Sequence, residues 1–403
     1  MKHRIVILGA GYAGASAAGR LARRLHPDDV DVVLVNAEPD FVERVRLHQV
    51  ATGQELRRRP LRDMLPPWVT VQVAQVIAVD VDRKVVSLAT ADGVASADAH
   101  RADELAYDTL VHALGSVADD HGVPGVADHA HEVASRSGAL RLRERLAGLA
   151  DGGRVVVVGG GLTGIEAASE IAESRPDLDV AVAVRGELGD WLSPAGRRHL
   201  RATFDRLGIT VREHTDVRRV GATEVRTAGD TTIPADVTVW TGGFTAHPAA
   251  AATALEVSPG GQVVVDGTMR SVSHPDVYAV GDAALAQGAL GAPLRMSCAS
   301  GIPTAWQAAD SVAARLTGGK LPAVPLRYVQ QCVSLGRRDA VIQMVTADDR
   351  ATAVAPGGRL AAVYKELICR GAAWATAHPL PYPVRRRRVI RSATPHSART
   401  PAV

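Results

Sequence analysis

The sequence lacks features on which several protein classes depend. Its three cysteines (Cys298, Cys332 and Cys369) are an odd number without C-x-x-C spacing, which indicates neither a disulfide framework nor a zinc site. No apolar run approaches the ~20 residues that a membrane-spanning helix requires. The net charge of +3 is too small for a nucleic-acid-binding protein, and only residues 385–388 form a basic run. We therefore expect a protein of the reducing cytoplasm with no metal and no nucleic-acid partner.

The composition that remains is that of an ordinary folded protein, with 46% hydrophobic and 22% charged residues in 403. This length predicts two or three domains, each with its own core. Residues 1–4 lead straight into an apolar strand, so we expect neither a secretory signal nor a targeting peptide.

The first glycine cluster has the spacing of a nucleotide-binding loop. The short apolar run 5–8 leads into Gly9-Ala10-Gly11-Tyr12-Ala13-Gly14, which fits G-x-G-x-x-G. In such a loop the first glycine permits a tight turn, the second lets the backbone approach a pyrophosphate, and the third allows close helix packing. A helical stretch and a second apolar strand, 31–35, complete a βαβ unit. The alternative is a turn that needs glycine only for packing.

The end of that second strand is where a dinucleotide site places its ribose partner. Asn36 lies there, 22 positions past Gly14, with Glu38 two residues further on. The amide oxygen of asparagine can accept a hydrogen bond from a ribose hydroxyl, so Asn36 is a candidate cofactor residue.

The same arrangement returns about 150 residues later. The apolar strand 155–158 leads into a cluster that contains Gly159, Gly161 and Gly164, and the strand-end position 21 residues past Gly164 is Arg185. A guanidinium can pair with a ribose 2′-phosphate, which predicts that NADPH is at least accepted. The alternative is that Arg185 faces water and that the site takes NADH through other contacts.

Two further segments lie at characteristic places relative to the glycine motifs. Residues 107–116 lie between the glycine motifs, and Tyr278-Ala279-Val280-Gly281-Asp282 brings a glycine and a carboxylate into a turn after them. With the glycine motifs, these segments resemble the two-dinucleotide-binding flavoprotein superfamily, and within it the type II NADH dehydrogenase-like pyridine nucleotide oxidoreductases. The resemblance covers roughly residues 1–375.

This resemblance implies an α/β fold of two nested Rossmann-like dinucleotide-binding domains plus a small C-terminal α+β region. An FAD-binding domain (1–125 and 255–320) would be split by an NAD(P)H-binding domain (126–254), followed by a C-terminal interface region (321–378) and a basic flexible tail (379–403). The local pattern also predicts strands at 71–79, 84–90 and 94–97 with a hairpin turn at Asp92-Gly93, and helices at 134–150, from Ser193-Pro194 to Gly208, and at 301–316.

The resemblance also assigns site residues. FAD would be held by Gly9, Gly11, Gly14, Asn36, Arg44, Ala113, Gly115, Gly281 and Asp282. The nicotinamide nucleotide would be held by Gly159, Gly161, Gly164, Arg185 and the pair Gly242-Gly243. Glu166 is the position expected near the nicotinamide and is our catalytic candidate; the alternative is a carboxylate that only complements the helix dipole.

Four polar residues, Arg44, Arg46, His48 and Gln49, follow the first βαβ unit, in a region that runs close to the cofactor in relatives. Arg46 and His48 are candidates to meet flavin or substrate, although a solvated face is the interpretation that we favour. The helix entered near Gly301 should point its N-terminus at the flavin, with Cys298 just before it as a small packed residue or, alternatively, a redox-sensitive thiol.

The sequence also departs from its relatives. The disulfide reductases of the superfamily carry a cysteine pair near residues 38–55, where this chain has none, so we expect electrons to pass directly from the flavin. The segment 296–307 lacks most of the glutamines that contact quinone in type II NADH dehydrogenases. We predict an FAD-dependent enzyme that takes hydride from NADH or NADPH onto flavin N5 and reduces a quinone or similar small acceptor. Two alternatives are a flavin-dependent oxidoreductase or oxygenase of a biosynthetic pathway, and a slow NAD(P)H-sensing flavoprotein.

Apolar residues recur at helical spacing near the C-terminus, at Leu360, Val363, Tyr364, Leu367, Ile368 and Trp374. We favour a helix whose apolar face packs on the core, followed by a solvated tail. The alternative is a peripheral membrane contact. Independently of this helix, the sequence leaves a homodimer open.

Overall fold

The first nucleotide-binding unit occupies the start of the chain, and the computed structural model describes residues 1–90, 103–323, 325–379 and 385–390. Every side chain of residues 5–8 is buried, as a strand covered on both faces requires. The elements of this part are β1 (His3–Leu8), α1 (Tyr12–Arg24), β2 (Val30–Asn36), α2 (Leu47–Ala51), α3 (Leu61–Met64), β3 (Thr70–Asp80), β4 (Val85–Thr90), β5 (Asp103–Ala106), β6 (Thr109–His112) and β7 (Ser116–Ala118).

The second unit repeats the arrangement around a five-stranded sheet with the order β11-β10-β9-β15-β8, in which every pairing is parallel. Its elements are α4 (Val126–His129), β8 (Ala130–His131), α5 (Arg136–Ala147), β9 (Arg154–Val158), α6 (Leu162–Ser174), β10 (Asp179–Ala183), α7 (Pro194–Arg206), β11 (Thr210–Arg212), β12 (Val217–Val220), β13 (Glu224–Thr227), β14 (Thr232–Pro234) and β15 (Val237–Trp240). As predicted, Ser193 caps α7 by accepting a hydrogen bond from the Gly196 N–H (3.3 Å).

The chain then returns to the first sheet. The remaining elements are β16 (Phe244–Ala246), β17 (Val263–Val264), β18 (Val277–Ala279), β19 (Ala284–Leu285), α8 (Cys298–Thr317), β20 (Gln330–Ser334), β21 (Ala340–Met344) and α9 (Arg359–Ala377). Strand β18 pairs in parallel with β6 and completes a seven-stranded sheet of order β18-β6-β1-β2-β3-β4-β5. The first sheet thus contains strands that precede the second unit in the chain and one strand that follows it. This is the nested arrangement that the resemblance predicts.

Helix α8 begins three residues earlier than predicted, at Cys298 rather than near Gly301, so Cys298 belongs to its first turn. Pro303 is inside the helix, where it cannot donate a backbone hydrogen bond. The hydroxyl of the next residue, Thr304, donates to the carbonyl of Ser300 (2.8 Å). Pro303 is the sixth residue of α8 and so lies beyond the first turn, where a proline is expected, and the predicted start was therefore too late.

Helix α9 has the orientation opposite to the one we favoured from the sequence. All six of its predicted apolar residues are exposed, Leu360 at 85% and Leu367 at 60%. The buried side of the helix carries Ala361, Cys369 and Ala373, which are separated by eight and four residues and so lie on one face. Small side chains let α9 approach the body of the protein closely, so the larger apolar residues face outward.

Part of the predicted C-terminal tail lies against the first unit. The N–H of Arg387 donates to the carbonyl of Arg24 (2.8 Å), and the N–H of Ile390 donates to the carbonyl of Leu316 (3.0 Å). The stretch 385–390 therefore covers the C-terminal ends of α1 and α8, in contrast to the mobile tail that we expected there. The predicted strand 94–97 and its hairpin turn lie outside the described residues.

Candidate active site

The first glycine loop follows the end of β1. Gly9 has φ +92°, and a Cβ atom on Gly14 would lie 1.8 Å from the Gly9 carbonyl oxygen, so both positions require glycine. Gly11 differs from them, because no heavy atom lies within 4 Å of the place where its Cβ would be. The loop is thus closely packed on the protein side and open where the backbone is expected to meet a pyrophosphate.

Asn36 supports this loop from the end of β2. The N–H of Ala10 donates to Asn36 Oδ1 (2.9 Å), and Asn36 Nδ2 donates to the carbonyl of Glu38 (2.7 Å). An amide oxygen has two acceptor sites, so Oδ1 retains the capacity to accept a ribose hydroxyl. The Glu38 carboxylate pairs with Arg136 (3.2 Å) on α5.

The predicted carboxylate lies beside the same loop. Asp282 Oδ2 accepts a hydrogen bond from the Ser116 hydroxyl (2.6 Å) and lies 3.7 Å from Arg44 Nη1. The neighbouring Gly281, at φ +63°, donates its N–H to Thr304 Oγ1 (3.0 Å) near the start of α8. Strand β18, β7 and α8 thus bring residues far apart in sequence around one carboxylate.

Three other predicted FAD residues lie near the first glycine loop and Asp282. The Ala113 Cβ lies 3.2 Å from where a Cβ of Gly14 would be, and Gly115 has φ +75° and lies next to Arg44. The guanidinium of Arg44 stacks over the ring of Phe244, 4.9 Å from its centroid. Burial lowers the pKa of Arg44, with Asp282 acting in the opposite direction, and its Nη2 atom has no hydrogen-bond partner within the described part of the chain.

These residues fit the FAD that the sequence predicts. A buried guanidinium nitrogen without a partner suits an anionic or hydrogen-bond-accepting cofactor group. The open side of Gly11 at the N-terminus of α1 suits the pyrophosphate, and Asp282 suits hydroxyl groups of the ribityl chain.

The second glycine loop has the same construction. A Cβ atom on Gly164 would lie 2.0 Å from the Gly159 carbonyl oxygen, whereas Gly161 has nothing within 4 Å of its Cβ position. Thr241 packs against Gly159 and donates its hydroxyl to the carbonyl of Val158 (2.8 Å). Gly243, at φ +151°, follows this threonine, so it lies at the same end of the sheet as the loop.

Arg185 lies just past the end of β10. Its side chain is exposed, and it forms no ion pair with any residue that the structure describes. The neighbouring strand β11 ends at Arg212, which is in register with Ala183. Two arginines therefore lie near the expected position of the nucleotide ribose.

Glu166, our catalytic candidate, is the centre of a buried polar cluster. Its Oε1 atom lies 2.9 Å from Lys365 Nζ of α9 and accepts hydrogen bonds from the N–H (3.0 Å) and hydroxyl (3.1 Å) of Ser334. Its Oε2 atom faces His48 Nδ1 at 3.8 Å. Lys365 Nζ also donates to the carbonyl of Cys332 (2.9 Å). This cluster joins α6, α2, β20 and α9.

The protonation states of the cluster follow from its contacts. Burial opposes ionisation of Glu166, but Lys365, His48 and the Ser334 N–H more than offset it and hold the pKa of the carboxyl below its ordinary value. Burial would also lower the pKa of Lys365, yet Glu166 raises it above its ordinary value. Burial lowers the pKa of His48 to about 4 in spite of Glu166. At neutral pH the cluster is an ion pair beside a neutral imidazole.

Cys298 lies in the first turn of α8 and is exposed, in contrast to the packed residue that we favoured. The protein atoms around its thiol raise the pKa above its ordinary value, with Lys365 acting in the opposite direction. Helix α9, which carries Lys365 of the buried cluster, also packs against α1 and α8 of the FAD side. We call the region between the two glycine loops and the buried cluster the cleft.

Our preferred interpretation of the region after the first unit was wrong. Arg46, His48 and Gln49 are buried rather than solvated. Arg46 pairs with Glu366 of α9 (2.6 Å) and with Glu43 (3.3 Å), which gives it a structural role.

Sequence reasoning missed Lys365, Ser334 and Ser116, which bond to Glu166 and Asp282. Of these three, only Lys365 could have been noticed in the sequence, because it is the one cation among the apolar residues of segment 360–368.

Comparison with known proteins identifies the family. The model of the pyridine nucleotide-disulphide oxidoreductase family matches residues 3–313. The chain belongs to this family. Its identification as a two-dinucleotide-binding flavoprotein, its α/β fold class, its enzyme class and its use of FAD with NADH or NADPH are thereby confirmed.

Two curated relatives each cover 84% of this oxidoreductase. It is 29% identical over 364 residues to an NADH dehydrogenase-like protein of Mycobacterium tuberculosis (strain ATCC 25618 / H37Rv), covering 84% of this chain and 87% of that protein. It is 27% identical over 361 residues to a demethylphylloquinone reductase of Synechocystis sp., covering 84% and 86%.

Solved structures share the fold. NDH2 of Plasmodium falciparum in complex with NADH matches with a TM-score of 0.77 at 14% identity, covering 94% of this oxidoreductase and 98% of that chain. The sulfide:quinone oxidoreductase of Aquifex aeolicus matches with a TM-score of 0.76 at 19% identity, covering 93% and 92%.

Proposed function

We propose that this oxidoreductase transfers electrons from NAD(P)H through FAD to a quinone. The observation that carries the proposal is the buried cluster around Glu166, which adjoins the second nucleotide loop and is joined through Lys365 to α9, a helix that packs on α1 and α8 of the FAD side. A quinone needs protons as well as electrons, and a cleft that holds titratable groups beside the cofactors can supply them. The relatives' names, NADH dehydrogenase-like protein and demethylphylloquinone reductase, support the same donor and acceptor classes.

Different residues of the cleft would bind FAD and the nicotinamide nucleotide. Bound FAD supplies the chemistry that links a two-electron hydride donor to the acceptor. The first glycine loop, Asn36, Arg44 and Asp282 would hold FAD, and the second loop with Gly243 would hold the nucleotide. Glu166 and Lys365 would bind and orient the reacting groups from the nucleotide side.

Electrons would leave the cofactor without a cysteine relay. A thiol–disulfide relay needs a thiolate, which a lowered pKa favours. Burial raises the pKa of the Cys332 thiol to about 11, and it also raises the pKa of Cys369 above its ordinary value. Both side chains and Cys298 are therefore thiols at neutral pH, which supports direct transfer.

Helix α9 would place the site at a membrane surface. None of the helices in the described part of the chain is long and apolar enough to cross a membrane. The outward face of α9 nevertheless exposes six apolar side chains, and Lys365 of the same helix bonds to Glu166. Arginines at 359, 370 and 385–388 suit an anionic lipid surface. A lipophilic quinone would then reach the cleft from the bilayer.

An anaerobic reduction tests the proposal. NADH or NADPH is added to the FAD-loaded protein, the loss of the yellow flavin absorbance is followed, and a short-chain quinone is then added. We expect rapid bleaching and rapid recovery, in the wild type and in a variant with all three cysteines replaced by alanine.

Three results would contradict the proposal. Bleaching without recovery by quinone, followed by recovery with oxygen and one product, would indicate the oxygen-using or biosynthetic alternative. Slow bleaching without turnover would indicate a sensor. A wild type that recovers while the cysteine-free variant does not would overturn direct transfer.

A further inference from the structure

Glu170 lies one helical turn beyond Glu166 on α6 and bonds to neither Lys365 nor Ser334. Its side chain is 1% exposed, and its Oε2 atom has no hydrogen-bond partner among the residues described. Gln54 donates to the other oxygen, Oε1, and Arg337 Nε lies 4.0 Å from that same oxygen. A buried carboxyl group with one satisfied and one unsatisfied oxygen destabilises the fold, so its presence calls for another explanation.

Three polar side chains surround Glu170, and two of them are charged. Arg337 comes from the turn between β20 and β21, Gln54 from the segment after α2, and Glu173 from the same helix. Strands β9 and β10 contribute apolar valines to the other side of α6. Burial raises the pKa of Glu170; Arg337 and Gln54 oppose it, Glu173 and Glu166 add to it, and the result is about 7. Arg337 is in turn held in place, because its N–H donates to Glu173 (2.5 Å).

Gln54 connects Glu170 with the surface. Its side chain lines a pocket of about 300 Å³ between segment 40–59 and α5. On the inner side, Glu166 and Glu170 are four residues apart and so lie on the same face of α6. The polar side chains thus run from the pocket through Gln54 and Glu170 to Glu166 and the cleft.

We propose that Glu170 passes protons from the Gln54 pocket to Glu166 while the acceptor is reduced. The proposal rests on the proposed function. A quinone takes up two electrons and two protons to become a quinol, and NAD(P)H supplies two electrons and one proton as hydride. The second proton therefore comes from water. Glu170 is protonated by water that enters from the pocket past Gln54, and it gives this proton to Glu166. Glu166 passes the proton on to the acceptor rather than keeping it, because Lys365 favours the ionised carboxylate. Glu170 acts through Glu166 and is a positioning residue rather than a catalytic one.

The test compares E170Q with the wild type, using a short-chain quinone and ferricyanide as acceptors. Ferricyanide accepts one electron and no proton, so its reduction takes up no proton from the pocket. We expect kcat with quinone in the wild type to fall as pH rises through about 7. In E170Q we expect this pH dependence to disappear and kcat with quinone to drop roughly tenfold or more. Bleaching by NADH and ferricyanide reduction should stay within about twofold.

Two further variants sharpen the test. Gln54→Leu leaves Glu170 in place but removes its contact with the pocket, so it should slow quinone reduction alone, as E170Q does. Glu144→Gln, which changes an exposed carboxylate on α5, should leave both reactions unchanged. An infrared titration gives a readout independent of turnover: a protonated carboxyl band should disappear as pH rises through about 7 and be absent in E170Q.

The outcomes separate the relay from the proposed function. A wild type that reduces ferricyanide but not quinone would overturn the proposed function, and the relay with it. A wild type active with quinone, with E170Q slowing both acceptors equally or keeping the pH dependence, would overturn the relay alone. An infrared band that is unaffected by E170Q would do the same.

Discussion

At the scale of single residues, the ion pair between Glu166 and Lys365 dominates the cleft. Both side chains are nearly buried, and the pair joins α6 to α9. Removing one partner of a buried pair leaves the other charge unpaired in a medium of low polarity, whereas replacing both with uncharged residues costs much less. The pair therefore makes the position of α9 depend on the second nucleotide-binding unit.

Lys365→Met should lower the free energy of unfolding by about 3–5 kcal/mol, because it leaves the Glu166 carboxylate buried without its cation. The double variant E166Q/K365M should recover most of that loss. Urea denaturation of the FAD-loaded protein measures both. As a control, R83M breaks the exposed Arg83–Glu104 pair and should cost less than about 1 kcal/mol. Equal losses in the single and double variants would contradict this account of the pair.

The same pair sets a pH dependence of stability. The pKa of Glu166 is lowered on folding, so its contribution is complete above the ordinary carboxyl value and is lost as pH falls through the lowered pKa. The pKa of Lys365 is raised, so its contribution is lost only in strong alkali. Acid denaturation curves of wild type and E166Q/K365M should therefore converge below the ordinary carboxyl range. If the two curves stay equally separated at all pH values, the Glu166–Lys365 pair does not cause the pH dependence of stability.

Arg185→Ala should affect one nucleotide and not the other. An exposed guanidinium that has no ion-pair partner among the described residues can bind a 2′-phosphate, and a charge-assisted hydrogen bond contributes about 1.5–3 kcal/mol. We expect kcat/KM with NADPH to fall about tenfold or more and kcat/KM with NADH to stay nearly constant. The matched variant R218A, which changes an exposed arginine paired with Asp216, should change neither. An equal effect of R185A on both nucleotides would show that Arg185 does not choose between them.

At the scale of elements, each glycine loop contains one closely packed and one open position. Gly14→Ala places a methyl group 1.8 Å from the Gly9 carbonyl oxygen, so α1 must move and the protein should lose stability and bound FAD together. Gly11→Ala meets no protein atom within 4 Å and requires no unusual φ, so it should fold as the wild type does while binding FAD more weakly. Thermal unfolding and the flavin content after gel filtration distinguish the two. Loss of stability in G11A would contradict the assignment of that space to the cofactor.

The elements that could be predicted are those whose conformation is encoded locally. Strand β1, its loop and α1 follow from an apolar run and three glycines, and the cap of α7 follows from Ser193 and Pro194. The start of α8 was misplaced because Pro303 suggested a first turn, whereas it is the sixth residue of the helix. The direction of α9 could not be predicted, since an amphipathic pattern shows that two faces differ but not which one meets the protein.

The site was only half predictable for a related reason. The glycines, Asn36 and Asp282 lie in motifs whose spacing carries the chemistry. Lys365 and Ser334 bond to Glu166 across more than 160 residues of sequence, and no local pattern encodes such a contact. Contacts of this kind follow from the packing of β20 and α9 on α6.

At the scale of the whole molecule, the exposed face of α9 predicts adsorption to lipid. The FAD-loaded wild type should sediment with vesicles that contain anionic phospholipid, and the double variant L360E/L367E should not, because it places charge in the apolar face. Ile77→Glu changes an apolar residue on β3 whose exposure is close to that of Leu367; it is the control and should bind as the wild type does. If α9 instead joins two copies of the chain, the double variant will change the mass measured by light scattering and leave vesicle binding unaltered.

The position of β18 has a consequence for synthesis. This strand pairs with β6, whose residues precede it by more than 160 positions, and the whole second unit lies between them. While the chain emerges from the ribosome, the second sheet can close before the first one has all its strands. Until residue 277 is available, β6 is an edge with unpaired backbone groups, and such edges are prone to pair with other chains. The order of translation therefore exposes the FAD-binding half of the molecule for longest.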